Sequence, residues 1–216
     1  MVDIQNIKQE QIVFLRNSDI LTITQRGVTT ASATGTLSGT KVITISTTAI
    51  KNIRSVTVGA VSKYVGTDYT VAYGPASTII TFGSNQTGAY SVSHDHGTDK
   101  IFPDFPRDDL TIDSYPRIAV DLLNVTTEPF GIGGTTFISN VTFTVVVYAN
   151  KSNDLDGYLD AIRTAYLAAP KSFYYLKYIK PVLMGPTINS TDKKDEIMQK
   201  NIDLTGMFNV EWINEN

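Results

Sequence analysis

Alternation of apolar and polar residues with a period of two dominates the C-terminal half of the chain, and its clearest instance runs from Tyr115 to Ala149. Ile118, Val120 and Leu122 alternate with Ala119 and Asp121, a Gly-rich connection follows, and a longer extended run succeeds it. Two such runs joined by a glycine-bearing loop predict a β-hairpin. In the second run Phe137, Val141, Phe143, Val145 and Val147 share one face, and Asn140, Thr142, Thr144, Val146 and Tyr148 share the other, because successive strand side chains point to opposite sides. The first face is expected to be core and the second semi-polar. The last run behaves alike, with Ile202, Leu204, Phe208, Val210 and Trp212 set against Asn201, Asp203, Thr205, Asn209 and Glu211. Gly206 is a candidate bulge there. Phe173 to Val182 is aromatic and β-prone, and its Pro181 marks a strand end or edge. Tyr174, Tyr175 and Tyr178 in that run are expected in core or interface.

Helical spacing occurs twice. Ile4, Ile7, Gln11 and Phe14 form a narrow stripe over 3–17, with Asp3 as cap. Leu155, Tyr158, Leu159, Ile162 and Tyr166 form a fuller one over 154–169, stopped by Pro170. Asp154 and Asp156 occupy its first turn, where the helix dipole favours negative charge. The order β, β, α, β, β predicts an α+β fold: a mostly antiparallel sheet covered on one face by the 154–169 helix and the N-terminal one.

Between Ile20 and Gly97 the pattern changes to short Val, Ile, Thr and Tyr runs separated by turn residues: ILTIT, KVITIS, RSVTVG, DYTVAYG, TIITFG and AYSVSH. Closely spaced short strands predict a small antiparallel sandwich or barrel. The run Ile20 to Thr24 fits either this module or the main sheet. Thr34 to Thr40, TGTLSGT, reads as a linker, which divides the chain into an α+β domain at 1–35 and 98–216 and an inserted β-sandwich module at 36–97. A connector rich in acids, with Pro103 and Pro106, follows to Ser114.

Charge and composition narrow the function. The chain has 216 residues, a formal net charge of −3 and a predicted pI of about 5.3, so it lacks the basic footprint of a protein that grips nucleic acid. It has no cysteine, which removes disulfides and cysteine-bound zinc. With no basic segment leading into an apolar run, and no stretch of about 18 apolar residues, a soluble chain without a signal peptide is expected.

Candidate chemistry is sparse. His94 and His96 stand two apart on a strand and so face one way, which would let them share a metal ion. No third ligand is fixed by spacing, and HDHG also reads as a strand running into a turn. Gly131 to Gly134 does not form a phosphate cradle, since a strand rather than a helix follows it. The acids of the connector have no pocket to perturb them. No enzyme activity and no cofactor are expected. The loop from Asn124 to Thr136 exceeds a tight hairpin turn, and long loops tend to carry function. Pro129, Phe130, Gly131, Ile132, Gly133, Gly134 and Thr135 are therefore the expected partner contacts.

Taken in order, YPRIAVDLL, the glycine-bearing loop, FISNVTFTVVVYA, DLDGYLDAIRTAYLAAP and NIDLTGMFNVEWI resemble the tail terminator (tail completion, neck) proteins of tailed bacterial and archaeal viruses, over about 110–214. SVTVG, YVGTDYTVAYG, TIITFGS and GAYSVSH resemble the immunoglobulin-like modules that decorate virion proteins of such viruses. The resemblance implies a homo-hexameric ring, located in the virion and assembled in the host cytoplasm. Such a ring caps the tail-tube protein, ends tube polymerisation and presents its other side to the neck or connector. Genome DNA passes through without specific binding, and no membrane is involved. The module departs from the minimal family pattern. Its presence leaves open a virion adhesion or decoration protein that binds a glycan or host surface, and the histidine pair a metal-dependent hydrolase.

Overall fold

The computed structural model describes residues 4–48, 50–103, 115–129, 137–168, 173, 175–192 and 195–210. In chain order these form α1 (Ile4–Asn17), α2 (Ile23–Arg26), β1 (Val28–Ile45), β2 (Ile50–Val58), β3 (Val61–Lys63), β4 (Tyr69–Tyr73), β5 (Thr78–Gly97) and β6 (Ile101–Phe102). There follow β7 (Arg117–Pro129), β8 (Phe137–Ala149), α3 (Ser152–Ala168), β9 (Lys177–Met184), β10 (Ile188–Asp192) and β11 (Asp195–Val210). The class is α+β, with mostly antiparallel sheets and three helices among the described residues. Two compact units result: Met1–Leu21 with Ile101–Asn216, and Thr22–Lys100.

The first unit is built on the predicted hairpin. β7 and β8 pair antiparallel from Arg117↔Tyr148 to Pro129↔Phe137. The other edge of β8 pairs with β11 from Met198↔Ala149 to Val210↔Phe137. β9 and β10 lie one after the other along the outer edge of β11, and β6 adds a short parallel pairing at Ile118 and Ala119. Alternation places Val141, Phe143, Val145 and Val147 of β8 on one face with Ile118, Val120, Ile202 and Leu204. The two predicted helices cover that face through Ile7, Ile12 and Leu15 of α1 and Leu155, Leu159, Ile162 and Tyr166 of α3. Each such side chain taken from water contributes about 1.5–3 kcal/mol, which is what holds the layers together. Gly206 is no bulge towards β8, where the register is continuous. The irregularity lies on its other side, between the partners of Thr205 and Met207 on β9.

The second unit is a sandwich-like module made by bending one long ribbon. β1 and β5 pair from Val28↔Gly97 to Ile45↔Thr78, with register shifts between Ser38 and Val42. Before the bend β5 takes β4 on its other edge; beyond it, β2, with β3 outside that. Both halves contribute to one core, with Ile43, Tyr69, Ile80 and Phe82 from one and Ile53, Val56 and Val92 from the other.

Three expectations change here. Residues 34–40 are strand rather than linker, paired with 86–91. Gly35 is tolerated because Tyr90 lies over it; a Cβ there would come within 2.7 Å of the ring, and covering a strand glycine with a cross-strand aromatic stabilises the pair. TIITFG and AYSVSH are two ends of one strand, β5, rather than two strands. Ile20 to Thr24 is no strand: the Thr22 hydroxyl accepts from the Gln25 N–H at 3.2 Å, and the Gln25 side chain accepts from the Thr22 N–H at 2.9 Å. That capping box starts α2, and left-handed Gly27 ends it. The units accordingly divide after Leu21 and after Lys100, not after residues 35 and 97.

Candidate functional site

The helix-free face of the first unit's sheet is a candidate surface. Thr144 and Val146 of β8, Gln199, Lys200, Asn201 and Asp203 of β11, Leu123 of β7 and Ile188 of β10 line a shallow groove of about 280 Å³. The polar groups in it hold one another. The Asn201 amide donates to Asp203 at 3.0 Å and to the Thr144 hydroxyl at 3.5 Å. Gly185 exists in its present form because of this amide: a Cβ there would sit 2.0 Å from Asn201 Oδ1. With the Asp203 carboxylate, the Asn201 amide and the Thr144 hydroxyl tied together between apolar walls, the groove suits contact with a surface.

Towards its end β7 loses cover, although Val125 still packs against the core. Ile118, Ala119 and Val120 are buried, whereas Leu123, Asn124, Thr126, Thr127 and Glu128 are exposed, although pairing persists to Pro129. The expected contact residues begin at its end. Pro129 is the last residue of β7, and Phe130, Gly131, Ile132, Gly133, Gly134 and Thr135 lie outside the described residues. Opposite this arm, β9 and β10 expose Tyr178, Val182, Leu183, Met184 and Ile188. Of the three tyrosines expected in core or interface, Tyr175 packs against the core, Tyr178 is exposed, and Tyr174 is outside the described residues.

In the β module, His94 and His96 do share a face, with ring centroids 6.0 Å apart. His94 is buried beside Ile53 and Ala31 of the flanking strands. Among the described residues no group of three His, Cys, Asp or Glu is placed to hold a metal. Asp95 points the other way, into an ion cluster. Its Oδ1 accepts from Arg54 and from Thr30, both at 2.7 Å, and its Oδ2 from Arg26 at 2.9 Å. Burial pushes the Asp95 carboxyl up, but the hydrogen bonds from Arg54 and Thr30 and the two guanidinium charges outweigh that and hold it below the ordinary value. Arg26 also engages Asp99. Sequence reasoning missed this cluster because Arg26 and Asp95 are 69 positions apart, and neither lies on an interrupted apolar stripe that would have flagged it. Tyr64 is widely exposed in the module, Tyr69 is buried, and the Tyr73 hydroxyl accepts from the Ile53 N–H at 3.3 Å.

No described helix is long and apolar enough to cross a membrane. The fold and site define an α+β protein carrying a sandwich-like β module, with a helix-free sheet face, an exposed end of β7 and an apolar sheet edge. Comparison with protein-family models and with curated proteins returned no match.

Proposed function

We propose that the chain is a virion structural protein of the tail terminator kind. It is a subunit of a homo-hexameric ring at the head-proximal end of the tail tube, ending tube polymerisation and joining the tail to the neck or connector. The observation that carries this reading is the β7–β8 arm. β7 stays paired with β8 out to Pro129↔Phe137, yet Thr126, Thr127 and Glu128 are exposed. An exposed strand end of this kind is suited to completion by a neighbour. The net charge of −3 suits a passage that DNA traverses without being held.

The test is to mix the purified chain with the tail-tube protein of the same virus and examine the tubes by electron microscopy. Tubes of limited length capped by six-fold rings are expected. Tubes that grow unaffected and bear no rings remove the reading.

A further inference from the structure

We infer that the sheet of the first unit continues from one copy to the next through its two unlike edges, the β9–β10 edge of one copy receiving the β7 arm of another. The inference rests on the ring reading above and supplies its interface.

Edge strands with exposed apolar side chains invite pairing, and proteins ordinarily blunt them with charge, proline or a covering segment. Here Lys177, Lys180 and Pro181 blunt only the first part of β9. Beyond it Val182 is 61% exposed, Leu183 59%, Met184 41% and Ile188 50%, an apolar run along strands whose described pairing is to β11 alone. At the other side of the sheet, β6 covers only Ile118 and Ala119. The Leu123–Glu128 stretch of β7, with Leu123 53% exposed, carries no further strand among the described residues.

Direction and charge both select a head-to-tail neighbour. Strand direction reverses at each step from β7 to β8, β11 and β9, since every one of these pairings is antiparallel. A copy displaced along the sheet therefore presents a β7 that runs opposite to β9, and the antiparallel order carries on unbroken. Lys180 is exposed on β9 and Glu128 on the β7 arm, so the two edges bear opposite charge. Pairing β9 with the β9 of a second copy would instead set lysine-bearing edges against each other. Unlike edges make a heterologous contact, which closes into a ring when the rotation allows.

The experiment measures the mass of the full chain in solution by light scattering, with circular dichroism to confirm folding. Leu183→Asp, at an exposed position, is expected to yield monomers. Lys180→Glu and Glu128→Lys are each expected to weaken assembly roughly tenfold, as like charges face each other. Mixing these two variants restores assembly, because each repairs the other's contact. Wild-type mass in Leu183→Asp and Lys180→Glu would overturn the edge assignment while leaving the ring intact. Assembly lost in Leu183→Asp but untouched in Glu128→Lys would mean like edges pair, and would overturn the head-to-tail arrangement. A wild-type chain that stays monomeric, with or without tail-tube protein, would remove the ring itself.

Discussion

Arg26 and Asp99 form a two-point ion pair inside the β module, Nε to Oδ1 at 3.2 Å and Nη2 to Oδ2 at 2.7 Å, with both side chains essentially out of water. The remaining arm of the same guanidinium reaches Asp95, which also holds Arg54. Charge in this buried group cancels only while all four members are present. Removing one partner strands another, at about 3–5 kcal/mol. Asp99→Ala and Asp95→Asn should therefore lower the urea midpoint of the module strongly. Arg54→Ala should cost less, since that side chain keeps 19% exposure and water can partly replace it. Midpoints unchanged in Asp99→Ala would show that the cluster is not a stabilising element.

The same cluster sets an acid limit. The folded Asp95 carboxyl lies below its ordinary value, so the folded state holds fewer protons than the unfolded one once the pH approaches that value. Its contribution is complete above about 3.9 and is lost as the pH falls from there through the folded value. Urea midpoints followed downward in pH should fall more steeply for the wild type than for Asp95→Asn. Parallel curves would count against this origin.

Tyr166 makes an opposite prediction in the first unit. Its ring is packed among Phe14 at 4.7 Å, Phe143 at 5.9 Å and Phe173 at 5.9 Å, but its buried hydroxyl has no hydrogen-bond partner. Burial, and then the charge of Glu10, raise its pKa well above the ordinary value. The unfolded chain thus ionises first, and the stability held below about pH 10 is lost as the pH rises above it. Tyr166→Phe keeps the ring contacts and deletes the orphaned group. It should stabilise the protein by about 1 kcal/mol at neutral pH and flatten the alkaline fall. A destabilised variant would point to a partner for the hydroxyl.

Two glycines should respond with opposite sign. A Cβ at Gly157, inside α3, would meet nothing within 4 Å, so Gly157→Ala should gain about 0.5–1 kcal/mol from helix propensity. At Gly206 a Cβ would lie 3.0 Å from Ile179 Cγ1 and 3.4 Å from the Leu176 Cβ. Gly206→Ala should cost about 1–3 kcal/mol from overpacking. Thermal melts of the two variants decide it; shifts of the same sign would mean the β9 side of β11 yields easily.

Local pattern carried the reading furthest where burial on one side repeats along an element. The alternation of Val141, Phe143, Val145 and Val147 and the helical stripe of Leu155, Leu159, Ile162 and Tyr166 each meet one core, so period alone names the buried face. In α1 the stripe at Ile7 and Gln11 was visible, but Leu15 was not part of it. The helix buries a wider face than four positions indicate.

What the sequence determined by itself was thus the main hairpin, the two helices, the β9 and β11 runs and their inward faces in the first unit, though not the short strands β6 and β10, and the strand-rich character of residues 20–97, because these follow from side-chain periodicity over neighbouring residues. Tertiary structure alone decided that the stretch at 34–40 is strand, since its order comes from pairing with 86–91 across the ribbon. It alone brought Arg26 to Asp95 and Asp99, and set Leu183 and Glu128 on opposite margins of one sheet. Those relations join residues far apart in the chain, and only the folded backbone sets the distances through which charge and burial act.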